Sequence, residues 1–345
     1  MKPSNYYLLG QQSGRLNILV PKRSLKWCLL LTLTAFVIAT FALVTGQLKT
    51  SFSELHEIVF GGGDKFIRAV VVEWRLPRLT ASLVFGAALG VSGALFQSLI
   101  RNPLGSPDII GFNTGAYTGA LLVIIVLGGN YIQIALGAIA GGIISAAAVY
   151  LLAFKQGVKG FRLIIIGIGI SAMLSAFNTW LMITSSLESA MTAAVWGSGS
   201  LNGMSWDKVI PSFSFIFFAL IATAYLTRNM NILEMGDDSA NVLGIDSERT
   251  RQLAMFCGVV LTAAVTATAG PISFIALVAP QLAKAVTKEG GVALVPSALM
   301  GATLLILADF TAANLFAPNQ LPVGIVTISI GGVYLIYLLI RQSGR

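Results

Sequence analysis

Charged side chains are scarce in this sequence: they make up 10% of its 345 residues, while 56% are hydrophobic, and an average soluble domain carries about 25% charge. A chain with this balance and a mean hydropathy of +0.83 is read as an integral membrane protein. Histidine is nearly absent as well. The single one, His56, stands in a polar connection, and the only two cysteines, Cys28 and Cys257, lie inside apolar runs. That excludes a disulfide framework and a cysteine or histidine metal site, and leaves both thiols as packing residues. Also missing are a GxxxxGK[ST] phosphate loop and any nucleophile with a base nearby. The chain is therefore expected to be no enzyme and to hold no metal or cofactor of its own. The formal charge of +8 comes from lysines and arginines dispersed over the ends of apolar runs. Without a dense basic tract or interleaved aromatics, it gives no nucleic-acid partner.

What is present is a succession of long apolar runs. At about 20 residues per crossing, they predict an all-α fold of about ten transmembrane helices, near 27-46, 79-100, 114-128, 131-154, 163-183, 208-227, 252-269, 273-287, 292-312 and 322-340. Residues 1-26 read as a cytoplasmic tail and 27-345 as one transmembrane domain. The first run is longer than the core of a cleaved signal and reads as a retained helix. With both termini in the cytoplasm, Lys49, Lys65, Arg68, Arg75, Arg78 and Lys208 fall outside, and the other sixteen of the 22 basic residues fall inside, as the positive-inside bias requires. The pairs Gly86/Gly90, Gly115/Gly119 and Gly137/Gly141 have the small-xxx-small spacing that lets helix backbones approach closely in lipid.

Three polar features interrupt this pattern. Asp309 lies inside the ninth run, where a carboxylate costs about 2.5–3.5 kcal/mol unless it faces protein or water. It needs a partner or a proton, so hydrogen bonding within the bundle and ion-gradient-driven secondary transport are both open. The inner connection from Arg101 to Asp108 packs Asn-Pro and Ser-Pro into eight residues, which forces a rigid turn; the residues alone leave a gate and a plain turn open. The stretch 231-246 is the longest polar connection on the inner side. Glu234 to Leu243 reads as a short helix closed by Gly244, with Gly236, Ala240 and Leu243 at a spacing suited to docking on another protein; a solvated loop is the alternative.

These segments resemble the permease family of ATP-binding-cassette importers for ferric siderophores, haem and cobalamin, and the resemblance covers nearly the whole chain. It runs through WRLPR at Trp74 to Arg78, GAALGVSGALFQSLIRNPLGSPDIIGFNTGA at Gly86 to Ala116, FRLIIIGIG at Phe161 to Gly169, LEMGDDSANVLGI at Leu233 to Ile245, AGPISFIALVAP at Ala269 to Pro280 and LPVGIVTISIGG at Leu321 to Gly332. Within the family, AFNTW at Ala176 to Trp180 and the stretch from Ser186 to Gly203 are similar to members that carry catecholate siderophores.

The resemblance implies a type II importer permease fold in the bacterial inner membrane. Its implied partners are a second permease, here expected to be a homologous different chain, two cytoplasmic ATPase subunits that bind ATP and magnesium, and a periplasmic siderophore-binding protein. It assigns ATPase coupling to Glu234, Met235, Gly236, Asp237, Asp238, Ala240, Leu243 and Gly244. It gives docking of the binding protein to Arg75 and Arg78, suited to the guanidinium's two-pronged grip on carboxylates. One cytoplasmic gate falls on Asn102, Pro103 and Leu104 and a second on Lys159, Gly160 and Phe161, with Asn178 and Trp180 on the translocation path. The chain departs from the family at Gln281, where many members have histidine after Ala-Pro, and at Ala313, near which some carry another outer arginine.

Overall fold

The computed structural model describes residues 6–9, 18–46, 48, 50–108, 110–154 and 160–343. Among them, seven helices are long and apolar enough to cross a membrane, and three shorter apolar helices accompany them at Phe112–Leu127, Ile275–Thr287 and Val323–Ile336. One small exception to the all-helical expectation is an antiparallel hairpin, β1 (Tyr6–Leu9) with β2 (Ile18–Pro21). It leads directly into α1 (Lys22–Val44), so the end of the expected tail 1-26 is already helical. Tertiary contacts hold that extra turn: Arg23 Nε donates to the Val286 carbonyl at 2.7 Å and Ser24 Oγ to the Glu289 carboxylate at 3.0 Å.

On the opposite, outer side, α2 (Phe52–Val59) is closed by a reciprocal cap. Ser51 N–H donates to the Glu54 carboxylate at 2.7 Å and Glu54 N–H to Ser51 Oγ at 3.1 Å, satisfying two orphan donors. Next comes a 36-residue rod, Lys65–Ile100, made of α3 (Lys65–Ala69), a π-helical turn (Val70–Arg75) and α4 (Leu76–Ile100). The span expected from residue 79 therefore starts far earlier. Pro77 sits at the change from π to α register, where its missing N–H is tolerated.

The chain continues through α5 (Phe112–Leu121), extended by a π-helical turn (Leu122–Leu127), then α6 (Tyr131–Ala153) and α7 (Gly160–Thr184). An outer helix that the sequence reading left as connection, α8 (Leu187–Gly197), precedes α9 (Trp206–Leu233). On the inner side follows α10 (Asp237–Val242), and the bundle closes with α11 (Ser247–Ala269), α12 (Ile275–Thr287), α13 (Leu294–Asn314) and α14 (Val323–Ser343).

The long rod and α11 form the centre of the bundle, with 72% of their apolar windows buried, whereas α1 and α7 have 11% buried and lie at its periphery. Small residues set the close approaches. A Cβ at Gly86 would stand 2.4 Å from the Gly301 carbonyl oxygen, and one at Gly90 2.1 Å from that of Ser297. The same antiparallel stepping joins α5 to α6, where a Cβ at Gly119 would stand 2.0 Å from the Gly137 oxygen and one at Gly115 2.7 Å from the Gly141 oxygen. All three glycine pairs singled out in the sequence thus lie at backbone contacts, where dispersion replaces the hydrophobic drive that lipid does not supply. Several buried polar groups are satisfied between helices: Ser92 Oγ donates to the Gly258 carbonyl at 2.8 Å and Gln97 Nε2 to that of Leu277 at 2.9 Å.

Between α11 and α12 the backbone is not helical, with positive φ at Gly270 and Phe274. Ala276 at the start of α12 faces Gly93 in the middle of α4, so this irregular stretch lies deep in the bundle. It is sheltered by protein, the condition for irregular backbone at membrane depth.

Candidate functional site

At the inner end of α4 the helix stops on Arg101, which takes the left-handed conformation at φ +54°. The following turn is closed on itself: Leu104 N–H donates to Asn102 Oδ1 and Gly105 N–H to the Asn102 carbonyl, each at 2.9 Å. An Asn side chain turning back on the backbone two residues ahead is the expected way to rigidify such a turn. Pro103 presents its carbonyl to Gln281 Nε2 at 2.7 Å. Gln281, where the resemblance led to an expectation of histidine, thus supports this turn directly.

Of the second gate, Lys159 lies outside the described residues, while Gly160 opens α7. A Cβ on Gly160 would stand 2.4 Å from the Ile100 carbonyl oxygen, so the start of α7 packs against the end of α4. Phe161 is exposed.

The coupling segment is shorter and differently aimed than expected. Its helix, α10, runs from Asp237 to Val242 rather than from Glu234 to Leu243, because Gly236 at φ +119° breaks the path between α9 and α10. Glu234 belongs to the end of α9 and lies 3.8 Å from Lys284 Nζ. Ala240, expected on the docking face, is fully buried and anchors the helix to its own chain, whereas Met235, Val242 and Leu243 are strongly exposed. Gly244, at φ +79°, closes the segment as expected, and Asp238 is exposed. Asp237 is held from two sides: Arg101 Nη2 at 2.5 Å, and Arg251 Nη2 at 3.1 and 3.0 Å from its two oxygens. Partial burial pushes the Asp237 carboxyl up, but the Arg251 hydrogen bonds and the two positive charges leave it below the ordinary range.

On the outer side, Arg75 and Arg78 line a cavity of about 1140 Å³ together with Trp74, Asp309, Phe310 and Gln320. Neither arginine is free. Arg75 donates to the Leu43 carbonyl at 2.5 Å, to Thr50 Oγ1 at 3.0 Å and to the Leu48 carbonyl. Arg78 forks onto the Asp309 carboxylate and donates to Gln320 Oε1 at 2.8 Å. Asp309 therefore has the partner it required, and a carboxylate clamped by guanidinium is no lone ion carrier. The sequence pattern concealed this pair because the two residues lie 231 positions apart.

Asn178 is buried on α7 with its Oδ1 lacking a hydrogen-bond partner, whereas Trp180 is exposed and stacks on Phe177 at 5.7 Å. Two residues apart on a helix, they point to different faces. Sequence reasoning missed Asp108, on the connection between α4 and α5. It accepts from Asn113 Nδ2 and, at 3.4 Å, from the Phe274 N–H at the start of α12. Burial pushes its carboxyl up to about 6, against those two hydrogen bonds.

Residues 31–341 match the FecCD transport family. Over 328 residues the chain is 52% identical to the ferric enterobactin transport system permease protein FepG of Escherichia coli, covering 95% of this chain and 99% of that one. Over 316 residues it is 35% identical to the iron(3+)-hydroxamate import system permease protein FhuG of Bacillus subtilis, covering 89% and 94%. A solved structure of a metal-chelate-type ABC transporter in an inward-facing conformation matches with a TM-score of 0.82 at 28% identity, over 92% of this chain and 99% of that one. The chain is a multi-pass membrane permease and belongs to the FecCD transport family.

Proposed function

We propose that this chain is the permease subunit of an ATP-binding-cassette importer that moves a ferric catecholate siderophore of the enterobactin type from periplasm to cytoplasm. The observation that carries this reading is the 52% identity to a ferric enterobactin permease over 95% of the chain. The permease sits in the bacterial inner membrane as one transmembrane domain, residues 27-345, with both termini in the cytoplasm, a reading supported by the bias of sixteen of its 22 basic residues toward the inner side. It pairs with a homologous second permease, receives cargo from a periplasmic binding protein, and is driven by two cytoplasmic ATPase subunits that hold ATP and magnesium. Met235, Val242 and Leu243 present an exposed apolar patch beside Asp238, a suitable seat for the ATPase groove. The gate is formed by Asn102, Pro103 and Leu104 together with Gly160 and Phe161, Gly160 packing on Ile100 at the end of α4.

Uptake of radioactive iron as ferric enterobactin tests the reading, in spheroplasts of a deletion strain expressing this chain with its partners and supplied with binding protein. Uptake that needs ATP and survives collapse of the proton gradient supports it. Uptake that ignores ATP and follows the gradient overturns it.

A further inference from the structure

Arg101 occupies the position after α4 where glycine is favoured, since a left-handed backbone is costly for a residue with a side chain. The chain places glycine in this conformation after the π-helical turn, at Gly128, and lysine after α12, at Lys288. The Arg101 guanidinium supplies what glycine cannot: Nη2 donates to the Leu233 carbonyl at 3.0 Å and meets Asp237 at 2.5 Å. Leu233 ends α9 and Asp237 opens α10, so one side chain bridges both sides of the break at Gly236. The Arg101 and Asp237 side chains are 46% and 44% exposed, and an ion pair so open to water adds little to stability.

On its other side, the same turn is tied to the bundle. The Pro103 carbonyl accepts from Gln281 Nε2 on α12, and Gln281 Oε1 accepts from the Tyr334 hydroxyl on α14 at 3.4 Å. The bonds of Asn102 and Gly105 close the turn between these two attachments, so a pull on Arg101 is passed along it rather than absorbed.

We propose that Arg101 is a positioning residue that couples the ATPase to the gate. Displacement of α10 is transmitted through Asp237 and Arg101 to the turn at Asn102, Pro103 and Leu104, and from there through Gln281 to α14. This rests on the ATP-driven reading above and assigns that mechanism a specific transmission element. Energetic coupling between sites is carried by such contiguous contacts when both ends have two arrangements.

The test uses the complete importer in proteoliposomes, with ATP hydrolysis and ferric enterobactin uptake measured in the same vesicles. Arg101→Gly fits the left-handed backbone and removes only the link. It is expected to keep wild-type thermal stability and binding-protein-stimulated hydrolysis while uptake per ATP falls about fivefold or more. Arg101→Lys, which keeps the positive charge beside Asp237, is expected to recover most of the ratio. Unchanged uptake per ATP in Arg101→Gly overturns the proposal, as does a parallel loss of hydrolysis and uptake, which would place the defect in ATPase docking. If wild-type vesicles hydrolyse ATP without taking up iron, the importer reading itself fails, which is a separate result.

Discussion

Arg78 and Asp309 form a two-pronged ion pair across the outer end of the bundle, with Nε and Nη2 each 2.9 Å from a carboxylate oxygen. The pair continues the antiparallel register set by the glycines. Eight residues along α4 from Arg78 is Gly86, and eight residues back along α13 from Asp309 is Gly301, its backbone contact. The close approach that small residues permit thus delivers the guanidinium to the carboxylate.

Asp309→Ala is expected to destabilise the permease by about 3–5 kcal/mol, because it strands a guanidinium that is mostly buried. Arg78→Met combined with Asp309→Leu is expected to restore most of that loss, since an apolar pair of similar volume needs no compensation. Thermal unfolding in detergent measures both, and equal losses in the single and double variants would show that the pair is not the source.

Much of the core was legible in the sequence, because in lipid the long apolar run is itself the element and the glycine pairs mark where backbones meet. Element ends were not. The extension of α4 back to Lys65 and the outer helices α2 and α8 depend on caps and tertiary anchors, which no apolar run announces. At the site, the rigid turn after Arg101 was readable from Asn-Pro, since those residues restrict their own backbone. The partners of Arg101, Arg78 and Asp108 were not, because each lies on another helix. Ala240 shows the same limit: helical spacing identifies a face but not whether that face meets its own chain or a partner.

A Cβ at Gly93 would fall 1.7 Å from the Ala276 carbonyl oxygen, whereas Gly169 on α7 and Gly332 on α14 have nothing within 4 Å in this chain. Gly93→Ala is expected to separate α4 from α12 and to cost about 1–3 kcal/mol through overpacking. Gly169→Leu and Gly332→Leu are expected to leave the isolated permease as stable as wild type but to weaken its co-purification with the second permease. Normal co-purification would assign those faces to lipid.

Burial raises the Asp108 carboxyl to about 6, opposed by the hydrogen bonds from Phe274 and Asn113. A carboxyl raised above its unfolded value near 3.8 binds a proton more tightly in the folded state. The stability this contributes is complete below pH 3.8 and is lost as pH rises through about 6. Asp108→Asn does not titrate there, so its melting temperature relative to wild type is expected to rise by about 2 °C or more between pH 5 and pH 7. A constant difference across that range would mean that Asp108 keeps an ordinary value.

Met235, Val242 and Leu243 are 70%, 87% and 60% exposed, and apolar side chains clustered at the end of a membrane protein that faces water need cover from a partner. Because they make few contacts in their own chain, Val242→Ser with Leu243→Ser is expected to change thermal stability by no more than about 0.5 kcal/mol. If they are anchors of the ATPase interface, each truncation removes more than about 1 kcal/mol of binding, so affinity for the ATPase is expected to fall at least tenfold for the pair. Titration of purified ATPase onto the permease in nanodiscs reads this directly. Retained affinity would move the interface to the acidic side of α10, at Asp238, and salt dependence of the same titration would then reveal it.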